Sequence, residues 1–171
     1  KGTYGNAVFT AKFLKSNKPL YSVSMPKAAD IPPDGELEYK YFQLGDAIPE
    51  DMWITGIYTN STNPRQLHHE SLMIVPKPLS YYERKSETQR DKEFVDQNVD
   101  GDIPIYTLQQ IMSEARNDPN FLRTQVWAAG RPPLKFAGPG AMFFLPKGYY
   151  LILETHYMGT GKRETELTKM D

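Results

Sequence analysis

The sequence predicts an all-β fold, a sandwich or barrel of antiparallel strands with one helix-containing insertion at about residues 76–120. Fourteen prolines and twelve glycines punctuate the chain, and eleven tyrosines and eight phenylalanines favour extended backbone. The apolar runs between the turns are short and turn-bounded. The length of 171 residues is that of one domain, so we treat residues 1–171 as a single unit.

Six segments have the pattern of β-strands. Residues 36–44 place Leu37, Tyr39 and Tyr41 on one side and charged residues on the other, which predicts a half-buried strand. The other predicted strands are 7–14, 52–60, 66–75, 141–145 and 149–157. Residues 146–148, Pro-Lys-Gly, form a compact connection that is typical of antiparallel neighbours.

The insertion at 76–120 has a higher charge density and contains the one convincing helix pattern. Thr107 has the sequence context of an N-cap, and Gln110 completes a capping box before Ile111. Residues 96–103 match the first eight positions of an EF-hand calcium loop, with oxygen ligands at Asp96, Asn98 and Asp100. The twelfth position is Thr107 and not the bidentate glutamate, so calcium and an ordinary turn both remain open.

Composition and charge exclude several classes of function. Twenty basic and twenty-one acidic residues leave a net charge of −1, which gives no basic excess to bind nucleic acid or an anionic membrane. No stretch approaches the roughly 18 apolar residues of a membrane span. The absence of cysteine excludes disulfides, cysteine-ligated zinc, iron–sulfur clusters and thiol nucleophiles.

The three histidines of the chain, His68, His69 and His156, all lie in predicted strands. If the two strands approach each other, three imidazoles converge, a set that suits copper or zinc and leaves one position open. Successive residues of a flat strand point to opposite faces, so a shared metal requires a bulged or twisted strand, or different ring nitrogens. Spacing alone leaves open that one histidine is buried, one exposed and the third unrelated.

Two motifs resemble the copper type II, ascorbate-dependent monooxygenases, the family of the peptidylglycine α-hydroxylating and dopamine β-monooxygenases. Residues 51–69 resemble the first copper motif and read DMWITGIYTNSTNPRQLHH. The third-histidine motif of bacterial members, with a Trp-x-x-Gly loop and a His-Tyr-x-x-x-Gly turn, is similar to VWAAGRPP at 126–133 and LPKGYYLILETHYMGTGK at 145–162. The likeness covers residues 25–75 and 126–166 and includes every histidine.

This resemblance implies an antiparallel jelly-roll β-sandwich, the N-terminal half of a two-domain core. It also implies that His68, His69 and His156 bind the electron-transfer copper, which an ascorbate-like reductant reduces. A second copper in another domain then activates oxygen to hydroxylate a C–H bond of a peptide or small molecule. No histidine remains here for that second copper, so we expect no catalysis by these residues alone. We expect the chain to be a fragment, a processed half or the ordered part of something longer. The likeness to bacterial members indicates an exported protein.

Glu70 departs from the family pattern, which has an apolar residue after the histidine pair. It either orients an imidazole through a hydrogen bond or faces solvent, and we expect the second. The absence of disulfides, which eukaryotic members carry, also indicates the bacterial branch. We interpret Tyr149, Tyr150 and Tyr157 as ordinary strand aromatics rather than an electron path.

Two other functions are compatible with the same residues. The first is a non-catalytic sandwich for adhesion or assembly, in which the histidines are a remnant. The second is a zinc hydrolase with three histidine ligands, in which zinc-bound hydroxide is the nucleophile. That enzyme requires a nearby general base, and Glu70 and Glu154 are the candidates adjacent in sequence.

Overall fold

The computed structural model describes residues 21–33, 38–85, 103–135 and 142–171. Antiparallel strands dominate these residues, which confirms the predicted all-β class. The strands in chain order are β1 Val23–Ser24, β2 Ala29–Ile31, β3 Glu38–Gln43, β4 Met52–Ile54, β5 Gly56–Ile57, β6 Thr59–Ser61, β7 Leu67–Val75, β8 Leu122–Ala128, β9 Leu134–Lys135, β10 Phe143–Leu145, β11 Tyr150–Tyr157, β12 Glu164–Glu166 and β13 Thr168–Met170.

The described part of the predicted insertion contains two helical segments. Residues 79–85 form α1, and α2 is Ile103–Ala115. Thr107 was wrongly predicted as an N-cap, because α2 begins four residues earlier and Thr107 is buried inside it. Pro104 lies in the first turn, where its fixed φ and missing N–H suit a helix start. Neither helix, over its described residues, is long and apolar enough to cross a membrane.

The largest sheet has four strands in the order β3-β11-β7-β8, all antiparallel. β11 is paired on both sides, with β3 and with β7. Its register places Ile152 opposite Met73 of β7 and opposite Gln43 of β3. Because strand residues alternate between faces, this register fixes which side chains share each face of the sheet.

One face of this sheet packs on the main apolar core. Leu72, Leu153 and Phe42 point to this side. Four small antiparallel sheets, β1-β13-β6, β12-β2, β10-β4 and β5-β9, add further side chains to the same core, among them Ile31 and Ile57. The arrangement is a β-sandwich, and its jelly-roll connectivity stays a prediction.

The opposite face carries a second, smaller core beneath the helices. Met73 and Ile152 of the sheet pack there with Ile111 of α2 and Tyr82 of α1. This core lies near the start of β11, and His156 lies near its end. The helices therefore pack on one end of the face whose other end carries the histidines.

The predicted strands are partly correct. Segment 66–75 corresponds to β7 and segment 149–157 to β11, but segment 52–60 is divided into β4, β5 and β6. Segment 36–44 was predicted to be half-buried, but its described part, β3, is covered on both faces: Phe42 packs in the main core and Tyr41 packs against the smaller core beneath the helices. The predicted strand 7–14 lies outside the described residues. Strands that the sequence did not reveal are β1, β2, β8, β9, β12 and β13.

Candidate metal centre

The three histidines meet on one face of the four-stranded sheet. His69 of β7 lies directly opposite His156 of β11 in the strand register. His68, His69 and His156 each have a ring nitrogen within 4.8 Å of those of the other two. One strand pairing therefore brings His156 close to His69 and His68, which precede it in the chain by 87 and 88 positions.

A β-bulge explains how the side chains of two adjacent histidines can point to the same centre. His156 pairs with His69 and Tyr157 pairs with Leu67, so His68 is the extra residue that has no partner on β11. The bulge reverses the alternation of β7: Leu67 and Leu72 both contribute to the main core although five positions separate them. Of the solutions that the sequence left open, the bulged strand is the one present. Different ring nitrogens are not used, because Nδ1 faces the centre in all three side chains.

The three Nδ1 atoms form a nearly equilateral triangle. The distances are 3.4 Å between His68 and His156, 3.3 Å between His68 and His69, and 3.3 Å between His69 and His156. Nitrogens bound at about 2.0–2.1 Å to one tetrahedral ion are separated by about 3.3–3.4 Å. The triangle therefore has the dimensions of three corners of a metal coordination sphere.

Hydrogen bonds among the imidazoles do not account for this triangle. A ring nitrogen either carries a proton and donates, or has a lone pair and accepts. Among three nitrogens in mutual contact, at least one pair is thus donor against donor or acceptor against acceptor. A shared cation satisfies all three lone pairs at once, so the residues present fit a bound metal ion.

Burial increases from one histidine to the next. His68 is exposed, His69 is half-buried, and His156 is 5% exposed. Burial, together with the neighbouring His69 and His68, lowers the pKa of His156 to about 4. Burial and His68 also lower the pKa of His69. Both side chains are therefore neutral at neutral pH, the state in which imidazole binds a metal.

Both segments of the third-histidine motif contain a glycine turn that follows a strand of the main sheet. The Trp-x-x-Gly segment ends β8, where Ala128 lies opposite His69, and Gly130 turns the chain with φ +77°. The His-Tyr-x-x-x-Gly segment continues from β11 to Gly161, which has φ +82°. A positive φ is readily adopted by glycine and strains other residues. The two segments therefore leave β8 and β11 at the same end of the sheet.

Glu154 lies on the same face as His156, two residues earlier, and is fully buried. Its carboxylate accepts a hydrogen bond from Arg123 at 2.6 Å and one from the Tyr41 hydroxyl at 3.3 Å. Burial, followed by the charge of Glu154, raises the pKa of Tyr41. Both oxygens of Glu154 are thus already occupied by hydrogen bonds, Oε1 from Arg123 and Oε2 from Tyr41.

Glu70 is buried, so the expectation that it faces solvent is wrong. It alternates with His69 and points into the opposite side of the sheet, where Thr168 lies 2.7 Å from its Oε1. Glu166 completes this polar cluster and accepts hydrogen bonds from the hydroxyls of Tyr157, Ser61 and Thr168. Because the sheet separates Glu70 from the histidine face, Glu70 is not placed as a base for chemistry at the histidines.

Tyr39 of β3 is the site neighbour that sequence reasoning missed. Its ring is stacked on His156, with centroids 3.8 Å apart and planes inclined by 14°. The tyrosines that the sequence analysis considered lie elsewhere: the Tyr157 hydroxyl donates to Glu166 and the Tyr149 hydroxyl to Asp118. The alternation of 36–44 predicted that Tyr39 faces inward. Its contact with His156 could not be predicted, because it depends on β3 lying beside β11 in the sheet.

The candidate calcium ligands Asp96, Asn98 and Asp100 lie outside the described residues. The calcium loop therefore stays a prediction. Within the ranges that the structure describes, the three histidines are the cluster with metal-ligand geometry.

No protein-family model, curated protein or solved structure matches the chain. The functional interpretation consequently depends on the geometry of the histidine site and on the two motifs.

Proposed function

We propose that this chain is a copper-binding domain, the electron-transfer half of an ascorbate-dependent copper monooxygenase of the peptidylglycine α-hydroxylating and dopamine β-monooxygenase type. The observation that carries the proposal is the triangle of Nδ1 atoms at 3.3–3.4 Å from His68, His69 and His156. These are all the histidines of the chain, and they belong to the two motifs that resemble this family.

The donor set supports copper as the ion. Three neutral imidazoles without a thiolate suit copper and zinc, and the resemblance favours copper. Bound copper would supply one-electron transfer between Cu(II) and Cu(I). The contribution of the protein would be to hold the three imidazoles on paired strands, whose bulge and register set their positions.

The chain supplies one half of the proposed reaction. Its three histidines are used in one site, so the oxygen-activating copper belongs to a second domain, in the same or a partner chain. The substrate is a small molecule or peptide with a C–H bond to hydroxylate, and the reductant is ascorbate-like. Export to the periplasm, cell surface or medium of a bacterium is part of the same proposal.

The position of the glutamates weighs against the zinc hydrolase. Glu154 is bound to Arg123 and Tyr41, and Glu70 lies on the other face of the sheet. Both Glu154 oxygens are thus already hydrogen-bonded, and Glu70 does not face water at the histidines. A sandwich for adhesion or assembly is the remaining alternative, and it requires no metal.

Electron transfer is tested by loading the protein with Cu(II), reducing it with ascorbate, and comparing X-ray absorption spectra of the two forms. We expect rapid reduction and the same three nitrogen ligands in Cu(II) and Cu(I), because the ligands are fixed by the sheet. H156A serves as the variant without the site. Loss of a nitrogen ligand on reduction, or ester hydrolysis by the zinc-loaded protein that E154Q abolishes, would contradict the proposal.

A further inference from the structure

Tyr39 occupies a defined place in the architecture of the histidine site. It lies directly opposite His156 in the pairing of β3 with β11. Besides its parallel stack on His156, its ring meets His69 edge to face, with centroids 6.3 Å apart. Tyr39 thus contacts two of the three histidines from the edge strand of the sheet.

The contact of Tyr39 with His156 matters because, within the described part of the chain, the second ring nitrogen of His156 has no hydrogen bond to fix the ring. A metal-bound imidazole usually donates its other N–H to a carboxylate or carbonyl, which fixes the ring orientation. In His156 that nitrogen is Nε2, which is buried and has no hydrogen-bond partner among the described residues. The ring is instead held by packing, between Tyr39 and the edges of His68 and His69.

We propose that Tyr39 is a positioning residue of the metal centre. Its ring holds the His156 imidazole with Nδ1 directed at the other two histidines, in place of the usual hydrogen bond. A metal-bound imidazole is electron-poor, and the negative π face of a tyrosine stabilises positive charge stacked on it. This inference rests on the proposed function, because it assigns Tyr39 a role only if the three histidines bind a metal.

The test compares Y39L, which removes the ring, with Y39F, which keeps it. Tyr39 is half-buried, so neither substitution opens a deep cavity. Y150L is the matched control, because Tyr150 is a half-buried aromatic near the start of β11. It packs on the smaller core beneath the helices, away from the histidines. Cu(II) affinity is measured by competition with a chelator, and the ligand field by electron paramagnetic resonance.

We expect Y39L to bind Cu(II) about 10-fold more weakly than the native chain, within the range of lost ligand-orienting contacts. Its resonance spectrum is expected to change because the His156 ring is no longer fixed. Y39F and Y150L are expected to retain the native affinity and spectrum. Rescue by Y39F distinguishes ring stacking from a role of the hydroxyl.

Two outcomes would overturn the inference in different ways. If the native chain binds one copper and Y39L has the same affinity and spectrum, Tyr39 does not position His156 and the proposed function is untouched. If the native chain binds no copper at the histidines, the proposed function and this inference fall together.

Discussion

At the scale of single residues, the hydroxyl of Thr168 links a buried pair of glutamates. It lies 2.7 Å from Oε1 of Glu70 and 2.7 Å from Oε1 of Glu166. A hydroxyl has one proton to donate, so the two carboxyl groups compete for it. Burial raises the pKa of Glu70 to about 8, the hydrogen bond from Thr168 opposes this shift, and the charge of Glu166 adds to it. Glu70 is therefore the neutral acid at neutral pH.

The variant E70Q tests this assignment through the pH dependence of stability. The pKa of Glu70 rises from 4.5 in the unfolded chain to about 8 in the folded chain, so the folded state binds more protons between these values. The free energy of unfolding contributed by Glu70 therefore falls as pH rises through this window. Relative to the native chain, we expect E70Q to gain about 2–4 kcal/mol between pH 5 and pH 8.

Urea denaturation with a chelator present, at several pH values, measures this difference. The exposed Glu50 provides the control variant E50Q, for which the difference from the native chain is expected to stay constant. A constant difference for E70Q as well would show that Glu70 is ionised in the folded protein.

At the scale of elements, the histidine pair made the bulge in β7 predictable. Two adjacent ligands conflict with strand alternation, and one unpaired residue, His68, removes the conflict. Most of the strands that were not predicted have no recognisable sequence pattern. The two- and three-residue strands are too short to show a period, whereas β8 does alternate, with Leu122, Thr124 and Val126 on one parity. A capping-box pattern at Thr107 competed with Pro104, and the proline marks the actual helix start.

The variant I111A tests whether the helix layer and the histidine site are separate parts of the sheet face. Ile111 is fully buried in the smaller core beneath the helices. Its truncation is therefore expected to lower the free energy of unfolding by about 2–4 kcal/mol. The copper resonance spectrum of the folded variant is expected to match that of the native chain. S113A on an exposed position of α2 is the control. A changed copper spectrum in I111A would show that the helices shape the site.

At the scale of the whole molecule, the site depends on contacts between distant parts of the chain. The sequence predicted the strands that carry His69 and His156, but only the sheet order places β7 beside β11 and β3 on its other side. Local patterns do not determine sheet order, which is why the histidines could be predicted as ligands while Tyr39 and the ion pair of Glu154 with Arg123 could not. The resemblance indicated the convergence that spacing alone left open.

A metal ion that joins β7 and β11 is expected to stabilise the whole fold. Binding to the folded state alone adds about 4 kcal/mol when the free ion is at 1,000 times its Kd. For a chain of this size the thermal midpoint then rises by about 10 °C. Calorimetry with and without zinc, a redox-inert probe, measures the shift. H156A should show no shift, and an equal shift in H156A would place the bound ion elsewhere.

The central claim is that His68, His69 and His156 form one copper site, and copper stoichiometry combined with electron paramagnetic resonance tests it most directly. The native chain, H156A and the control E50Q are loaded with Cu(II) and freed of excess metal. We predict one copper per chain with a type 2, nitrogen-ligated signal in the native protein and in E50Q, and loss of that signal in H156A. Substoichiometric copper that is indifferent to H156A would contradict the account and favour a sandwich without a metal function.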